Sequence, residues 1–325
     1  MSRFSASVPA TTANLGPGYD SFGLALELRN DFHASLADEW TVDITGEGMD
    51  TLSQDEGNYV AIAMREVFTH AGYPDLKAEI ICENKVPLGS GLGSSSSALV
   101  GGGVLARRLI EEIDPSFVLT DNELLGILSK LEGHPDNIAP AMMGGFTICF
   151  KDDDEVGKIN CERFDLICPI AAIIVPSTTS LSTNYSRGLL PEVISHEDAS
   201  FNVAHAGLLA AALTGARPDL LPLAMHDRLH HPYRLPVIED YYPVKKILLG
   251  AGATSVVLSG AGPTVIAFVC GIDAEDALFK AKSIVFDISD DILALDTRLA
   301  PVPLPFARTG ALIADNNLVF DMRAT

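Results

Sequence analysis

The stretch that decides the fold is Val86–Ala98, with the sequence VPLGSGLGSSSSA. Its glycines let the backbone approach a ligand without Cβ clashes, and the apolar run that continues to Ile110 predicts a helix directly after the loop. The free N–H groups at such a helix start attract an anion, and the serine hydroxyls can contact phosphate oxygens or magnesium. A flexible Gly/Ser linker is the alternative, but a linker would not continue into a segment that requires burial. The stretch therefore predicts a phosphate-binding loop.

This loop differs from the common P-loop pattern because no lysine follows its last glycine. Backbone N–H groups, hydroxyls and a bound metal must then neutralise the phosphates. The residues predicted to form the phosphate cradle are Pro87, Leu88, Gly89, Ser90, Gly91, Leu92, Gly93, Ser94, Ser95, Ser96 and Ser97.

Composition limits the class of protein. With 325 residues, 47% hydrophobic and 20% charged, the chain can form one large or two ordinary domains. Its 43 acidic and 22 basic residues give a formal net charge of -21, which argues against binding nucleic acid or an anionic membrane. The 5 scattered cysteines suggest neither a disulfide framework nor a zinc knuckle, and no segment resembles a signal peptide or a membrane helix. We therefore expect a soluble cytoplasmic protein.

The hydrophobic pattern predicts mixed helices and strands along the whole chain. In the first half, the predicted strands are 5–9, a hairpin or meander over 32–44, 77–86 and 145–150, and the predicted helices are 58–71, 94–113 and 121–131. Thr120 or Asp121 is expected to cap the last of these helices, with Glu123 in its first turn.

A charged turn at 151–157 is the best candidate for a domain boundary, and it divides the chain into domains 1–156 and 157–325. Beyond this turn, the predicted strands are 169–175, 254–258, 265–269 and 292–298, and the predicted helices are 199–213, 244–251 and 273–285.

Three further motifs accompany the loop: PATTANLGPGYDSFG at Pro9–Gly23, EGHPDN at Glu132–Asn137 and LSGAGPT at Leu258–Thr264. In this order the glycine-rich motifs resemble those of the GHMP small-molecule kinases, and NLGPGYD and EGHPDN are similar to the members that phosphorylate L-homoserine. The resemblance covers almost the whole chain. It implies an α+β, two-domain fold, with an N-terminal domain like ribosomal protein S5 domain 2, a ferredoxin-like C-terminal domain and the site in the cleft between them.

The resemblance also implies an activity. This is the ATP-dependent phosphorylation of the side-chain hydroxyl of L-homoserine to O-phospho-L-homoserine for threonine biosynthesis, with Mg²⁺ as cofactor and a homodimer as assembly. Two alternatives remain open: a GHMP kinase for another small alcohol, such as a sugar or a mevalonate-like acid, and a noncatalytic metabolite-binding protein on the same fold. The chain lacks the first-motif lysine of mevalonate-type members, since no lysine precedes Lys77.

The family motifs also indicate which residues carry the chemistry. Glu132 matches the magnesium carboxylate, with Ser96 or a neighbouring serine as its partner. A solvated helix end is the alternative for Glu132, but a carboxylate is electrostatically disfavoured at a helix C-terminus. Asp136 matches the catalytic aspartate of sugar and mevalonate kinases, and without the lysine it can act by positioning the substrate rather than as a base. His134 is expected to share the substrate pocket, unless it only caps a loop. Thr183 is expected to approach the γ-phosphate or the hydroxyl.

An amino-acid substrate carries a carboxylate and an ammonium group, which require arginine and acidic or amide partners. Arg187 and Arg234 match the family's carboxylate-binding positions, while surface ion pairing is the alternative for each. Asn14 and Asp20 match its amine and hydroxyl contacts. Gly260 lies in the third glycine loop, which is expected to support the phosphate cradle and the substrate from the second domain.

Two histidines, His226 and His230, stand at i and i+4, a spacing that zinc-protease helices use. No third ligand is apparent, so we do not expect zinc here. This segment is expected to be a helix that presents Arg234 to the pocket.

Overall fold

The computed structural model describes residues 2–151, 158–295, 297–315 and 318–321. Its first sheet has eight strands. These are β1 (Phe4–Ala13), β2 (Phe22–Ala37), β3 (Thr41–Gly46), β4 (Lys77–Asn84), β5 (Phe146–Lys151), β6 (Ile159–Phe164), β11 (Leu312–Asp315) and β12 (Leu318–Asp321). The strand order is β12-β11-β1-β2-β4-β3, with β5 paired to β2 and β6 paired to β5. Only the β3–β4 pair is parallel among the described strands of this sheet.

Four helices belong to this half of the molecule: α1 (Tyr59–His70), α2 (Ser94–Ile113), α3 (Asp121–Glu132) and α4 (Ile138–Met143). They share one hydrophobic core with the sheet, in which Phe32 from β2 packs with Phe68, Val104 and Leu128 from the first three helices. This burial keeps α2 against the sheet, so the loop that precedes α2 is held in a fixed place.

The second sheet has four antiparallel strands in the order β10-β7-β9-β8. The strands are β7 (Ile170–Val175), β8 (Ser255–Leu258), β9 (Val265–Cys270) and β10 (Val302–Leu304). The helices of this half are α5 (Thr183–Gly188), α6 (His196–Thr214), α7 (Leu221–Ala224), α8 (His231–Arg234), α9 (Tyr241–Gly250) and α10 (Ala274–Leu293).

Strand β7 is buried on both faces, and its alternate residues enter different cores. Ile173 packs with residues of α9 and α10 on one face. Ile174 packs on the other face with α6, α7 and residues of the first sheet such as Leu24 and Phe146. The two sheets therefore share a core, and the cleft between them is bounded by packed elements on both sides.

Several sequence-based predictions are confirmed. Helix α2 begins and ends at the predicted residues, and α1 starts after its N-cap, Asn58. Thr120 caps α3, and its hydroxyl and Glu123 form a complete capping box. The mixed α+β, two-sheet architecture also agrees with the predicted fold class.

Three predictions need correction. The described residues of 292–298 contain no strand, because Ile284, Ile288 and Ile292 are buried at a spacing of four residues and keep α10 helical to Leu293. The region 32–44 is not a hairpin, since β4 lies between β2 and β3. Residues 226–230 form a loop and not a helix, and the short helix α8 that follows carries Arg234.

The predicted boundary between 156 and 157 falls in residues 152–157, outside the described residues. Strands β6, β11 and β12 follow that point in the chain and still join the first sheet, so this sheet takes strands from both predicted domains. Among the described residues, no helix has the length and apolar character that a membrane span requires.

Candidate active site

A cavity of about 510 Å³ lies between the two halves, at the N-terminal end of α2. All three glycine-rich segments contribute to its lining. The predicted site residues that line it are Asn14, Asp20, Leu88, Gly89, Ser90, Gly91, Gly93, Ser94, Ser95, His134, Asp136, Thr183, Arg187, Arg234 and Gly260. The remaining predicted residues, Pro87, Leu92, Ser96, Ser97 and Glu132, are outside this lining.

At two positions of the loop before α2, a positive φ and a close contact with a neighbouring segment together require glycine. Gly91 has φ +79°, and a Cβ there would lie 2.4 Å from the Ser259 carbonyl oxygen. Gly93 has φ +68°, and a Cβ there would lie 2.0 Å from the Thr11 hydroxyl oxygen. Since Gly93 is also the N-cap of α2 and supplies no side-chain cap, the first N–H groups of the helix are available to an anion.

The residues of the serine run have different surroundings. Ser94 and Ser95 line the cavity. Ser97 is fully buried, donates to the Val8 carbonyl at 3.5 Å and accepts from Asn30 at 3.3 Å. Leu92 is also fully buried, in the core that joins the two sheets. Ser97 and Leu92 therefore anchor the loop, whereas Ser94 and Ser95 face the space where phosphate can bind.

Glu132, the last residue of α3, lies beside the serine run. Its Oε1 accepts hydrogen bonds from Ser95 Oγ at 2.6 Å and Ser96 Oγ at 2.8 Å. One carboxylate and one or two hydroxyls form a set of hard oxygen donors, which suits Mg²⁺ when phosphate oxygens and waters complete its coordination. The residues present thus fit the predicted metal. Ser95 faces the cavity while Ser96 is fully buried, so Ser95 is the better placed of the two.

His134 and Asp136 form a hydrogen-bonded pair in the lining of the cavity. His134 Nδ1 lies 2.7 Å from Asp136 Oδ1, and Asp136 is buried. Burial alone lowers the pKa of His134, but the hydrogen bond and the charge of Asp136, with Glu132 further away, outweigh burial and raise it. Asn137 Nδ2 also donates to Asp136 Oδ1 at 3.4 Å. One carboxylate oxygen of Asp136 is therefore fixed, and no hydrogen bond among the described residues uses the other.

Arg187 and Asp20 face each other across the cleft in a bidentate pair. The Arg187 guanidinium donates to both Asp20 oxygens, at 2.7 and 2.9 Å, and to the Tyr19 hydroxyl at 3.3 Å. Burial lowers the pKa of Arg187, but the Asp20 carboxylate outweighs burial and raises it. Both side chains are about one-third exposed, so a polar ligand can reach the pair.

Asn14 shapes the first glycine-rich segment. Its Nδ2 donates to the Gly260 carbonyl at 2.9 Å, and its Oδ1 accepts the Asp20 N–H at 2.9 Å. Asn14 and Asp20 both have positive φ values, which asparagine and aspartate tolerate better than most residues. Asn14 therefore connects the first and third glycine-rich segments and holds the backbone that carries Asp20.

Arg234 is a buried cation that lines the cavity without an ion pair. No carboxylate of the described residues lies within 4.0 Å of its guanidinium. It donates to His230 Nδ1 at 3.2 Å and to the carbonyls of Ser186 and Gly260 at 3.4 Å each. Burial lowers its pKa. A buried, unpaired guanidinium at a cavity wall is suited to binding an anionic ligand group.

Sequence reasoning missed the residues at the other end of the cavity. There the lining includes Leu52, Asn58, Tyr59, Val60 and Asn84, together with the predicted Leu88. These side chains come from the loop before α1, the start of α1 and the end of β4. Their mixture of apolar and amide groups can accommodate a planar heterocycle, but nothing in their spacing forms a motif.

Comparisons with known proteins identify the family of this chain. The sequence matches the GHMP kinases N terminal domain over residues 58–145 and the GHMP kinases C terminal domain over residues 209–285. A homoserine kinase from Streptomyces coelicolor is 41% identical over 301 residues, which cover 92% of this chain and 94% of that protein. One from Moorella thermoacetica is 40% identical over 264 residues, covering 81% and 86%.

A solved structure agrees as well. The crystal structure of homoserine kinase from Cytophaga hutchinsonii superposes with a TM-score of 0.80 at 25% identity, and the match covers 97% of this chain and 98% of that one. Identity of about two residues in five over nine-tenths of the chain, on the same fold, does not arise by chance. This chain belongs to the homoserine kinase family of the GHMP kinases.

Proposed function

We propose that this protein transfers the γ-phosphoryl group of ATP to the side-chain hydroxyl of L-homoserine and releases O-phospho-L-homoserine, an intermediate for threonine biosynthesis. One observation carries the substrate assignment. The unpaired Arg234 lies on the same cavity wall as the Arg187–Asp20 pair, close to the loop that suits phosphate. A zwitterionic amino acid matches this arrangement, whereas a neutral sugar would leave a buried cation unpaired.

The nucleotide occupies the end of the cavity near α1 and α2 in this proposal. Its base lies among Leu52, Tyr59 and Leu88, and its phosphates extend to the N–H groups of Ser94 and Ser95. Mg²⁺, held by Glu132 and Ser95, would reduce the charge repulsion between the phosphates and the attacking hydroxyl.

Homoserine occupies the opposite end, beside Arg234. Its carboxylate accepts hydrogen bonds from Arg234, with Arg187 nearby, and its ammonium group contacts Asp20. The side-chain hydroxyl then extends toward Asp136, whose unused carboxylate oxygen accepts its hydrogen bond. These contacts place the hydroxyl between the amino-acid end and the phosphate end of one cavity.

In the reaction, the hydroxyl oxygen of homoserine forms a bond to the γ-phosphorus, the bond from that phosphorus to the β–γ bridging oxygen breaks, and the hydroxyl proton is released to solvent. ADP leaves. A loose transition state needs little help from a base, so orientation by Asp136 and charge stabilisation at the phosphate loop are sufficient. His134 and Asn137 keep Asp136 in one orientation for this purpose.

The activity is tested by measuring ADP release in a coupled assay with Mg-ATP and a panel of L-homoserine, L-serine, galactose and mevalonate. We expect kcat/KM to be highest for homoserine. An equal or higher value for galactose or mevalonate would assign the protein to another GHMP activity. Absence of ADP release with every acceptor, while homoserine still binds, would support the noncatalytic alternative.

The resemblance to homoserine kinases further supports a cytoplasmic homodimer. All five cysteines are free, which is compatible with a reducing compartment. Light scattering after gel filtration measures the assembly directly, and a monomer mass at micromolar concentration would contradict the dimer.

A further inference from the structure

His230 contacts Arg234 but is outside the lining of the cavity. Its side chain is fully buried in the loop before α8. Nδ1 is 3.2 Å from a terminal nitrogen of the Arg234 guanidinium, and this is the shortest of the hydrogen bonds of Arg234. Nε2 is 2.9 Å from the Gly16 carbonyl oxygen in the first glycine-rich segment. The imidazole therefore connects that segment to the arginine.

These two partners determine the state of the ring. A carbonyl oxygen only accepts, so Nε2 must carry the proton, and a guanidinium only donates, so Nδ1 must be the unprotonated acceptor. The ring is then neutral. Burial lowers the pKa of His230, and the charge of Arg234 lowers it further, while the Asp227 carboxylate and the Gly16 carbonyl act in the opposite direction. Neutral imidazole thus prevails at neutral pH.

Asp227 holds the loop in which His230 stands. Its side chain is fully buried and accepts the N–H groups of Leu229, His230 and His231, as well as a hydrogen bond from Asn202. Its Oδ2 also lies 3.7 Å from His230 Nε2. The remaining charged groups that act on His230 are Asp20 and Arg234, and His231 lies against its ring. The hydrogen bonds to Asp227 therefore fix the backbone at His230.

We propose that His230 is a positioning residue that aims the Arg234 guanidinium at the carboxylate of the amino-acid substrate. This inference rests on the proposed function. Without an acceptor at Nδ1, Arg234 keeps only its two longer hydrogen bonds, to Ser186 and Gly260, and its cation–π contact with the Tyr19 ring, so its guanidinium is less firmly oriented. Loss of the His230 acceptor should therefore weaken the binding of the amino-acid substrate and leave the binding of ATP nearly unchanged.

Two substitutions separate the roles of the two ring nitrogens. In His230→Asn, the side-chain oxygen stands where Nδ1 was, so an acceptor for Arg234 is kept. In His230→Gln, the amide reaches the position of Nε2, so the Gly16 contact is kept and the acceptor is lost. We expect the homoserine KM to rise about tenfold in His230→Gln and by less than about threefold in His230→Asn. The KM for ATP and the kcat at saturating homoserine should change little in either variant.

His231→Gln is the matched control, because this neighbouring buried histidine makes no hydrogen bond to Arg234 and its Nε2 has no hydrogen-bond partner in the part of the chain that the structure describes. Direct calorimetric binding of homoserine without ATP gives a second readout. The inference is wrong if the homoserine KM of His230→Gln equals that of the parent, or if His230→Asn and His231→Gln impair homoserine binding as strongly as His230→Gln. Failure of the parent itself to use homoserine would instead overturn the proposed function.

Discussion

Arg187 donates hydrogen bonds at 2.7 and 2.9 Å to the two carboxylate oxygens of Asp20, whereas Arg234, on the same cavity wall, has no carboxylate partner within the described residues. The two arginines of the pocket are therefore not equivalent. Arg234 is ready to bind an anion, while Arg187 must share Asp20 with an arriving ammonium group. This difference suits a ligand whose carboxylate and ammonium groups are bonded to the same carbon atom.

The Asp20→Asn variant tests the ammonium contact. An amide cannot balance the ammonium charge, and Arg187 loses its charged partner at the same time, so the homoserine KM should rise at least about tenfold. The KM for ATP should stay near that of the parent. As a control, Asp219→Asn removes the exposed partner of Arg217 far from the cavity. An unchanged homoserine KM in Asp20→Asn would place the ammonium group elsewhere.

The Arg234→Lys variant tests the carboxylate contact. Lysine keeps the charge but lacks the planar pair of N–H donors, and it cannot reach His230 and the substrate together. We expect a rise in homoserine KM of about tenfold or more with little change for ATP. Arg217→Lys, at an exposed ion pair, is the matched control. A weaker affinity for ATP in Arg234→Lys would assign this arginine to the nucleotide side.

Glu132→Gln tests the metal site. A neutral amide is a poorer ligand for a hard cation, so the Mg²⁺ concentration needed for half-maximal activity should increase and kcat should fall. The hydrogen bonds from Ser95 and Ser96 can still be accepted by the amide oxygen, so the melting temperature should change little. Glu66→Gln, on the exposed side of α1, is the control. Superimposable Mg²⁺ titrations of Glu132→Gln and the parent would mean that Glu132 does not bind the metal and is only a solvated residue at the end of α3.

The pKa of His134 gives a pH-dependent contribution to stability. Because this pKa is raised above its ordinary value of 6.5, mainly by Asp136 against the effect of burial, His134 stabilises the fold below pH 6.5. That contribution is lost as pH rises through the raised pKa. The free energy of unfolding in urea should therefore differ between the parent and His134→Asn more at about pH 5.5 than at about pH 8.5. An equal difference at both pH values would show that the pair is not an ion pair.

The sequence predicted best those features that depend on local chemistry. Helix α2 was predictable because Gly93 starts it and a regular apolar face continues to its end. The strand predicted over 292–298 was wrong because a short apolar run fits a strand as well as a buried helix, and only packing on the second sheet decides. The contact between His230 and Gly16 joins positions 214 residues apart, so no local pattern could indicate it.

The residues of the candidate site also divide into those that sequence motifs predict and those that only the folded structure brings together. The motifs predicted that the glycine-rich loop, Glu132 and Asp136 lie at one site, and the structure places the loop and Asp136 in the cavity lining with Glu132 beside the serine run. The end of the cavity lined by Leu52 and Tyr59 was missed, because these are ordinary residues whose place in the lining depends on where the loop before α1 folds. The choice of Ser95 over the predicted Ser96 as the proposed metal partner also needed the structure, in which Ser95 lines the cavity and Ser96 is fully buried.

Asp136→Asn distinguishes positioning from base catalysis. His134 and Asn137 both contact Oδ1 of Asp136, and an asparagine oxygen in that place can keep these contacts. Only the second oxygen is replaced, by an NH₂ group that can donate to the homoserine hydroxyl but cannot take its proton. If Asp136 orients the hydroxyl, the variant should show a raised homoserine KM and retain measurable kcat at saturating homoserine.

A general base gives a different result in the same experiment. Base catalysis contributes about 10²- to 10⁴-fold to the rate, so its loss would lower kcat by such a factor with an unchanged KM. Asp136→Glu extends the comparison, since it keeps a proton acceptor and displaces it by one methylene group. Under the positioning interpretation, Asp136→Glu should be impaired at least as strongly as Asp136→Asn, because geometry matters more than basicity. A kcat for Asp136→Glu that clearly exceeds that of Asp136→Asn, with similar KM values, would make Asp136 the base.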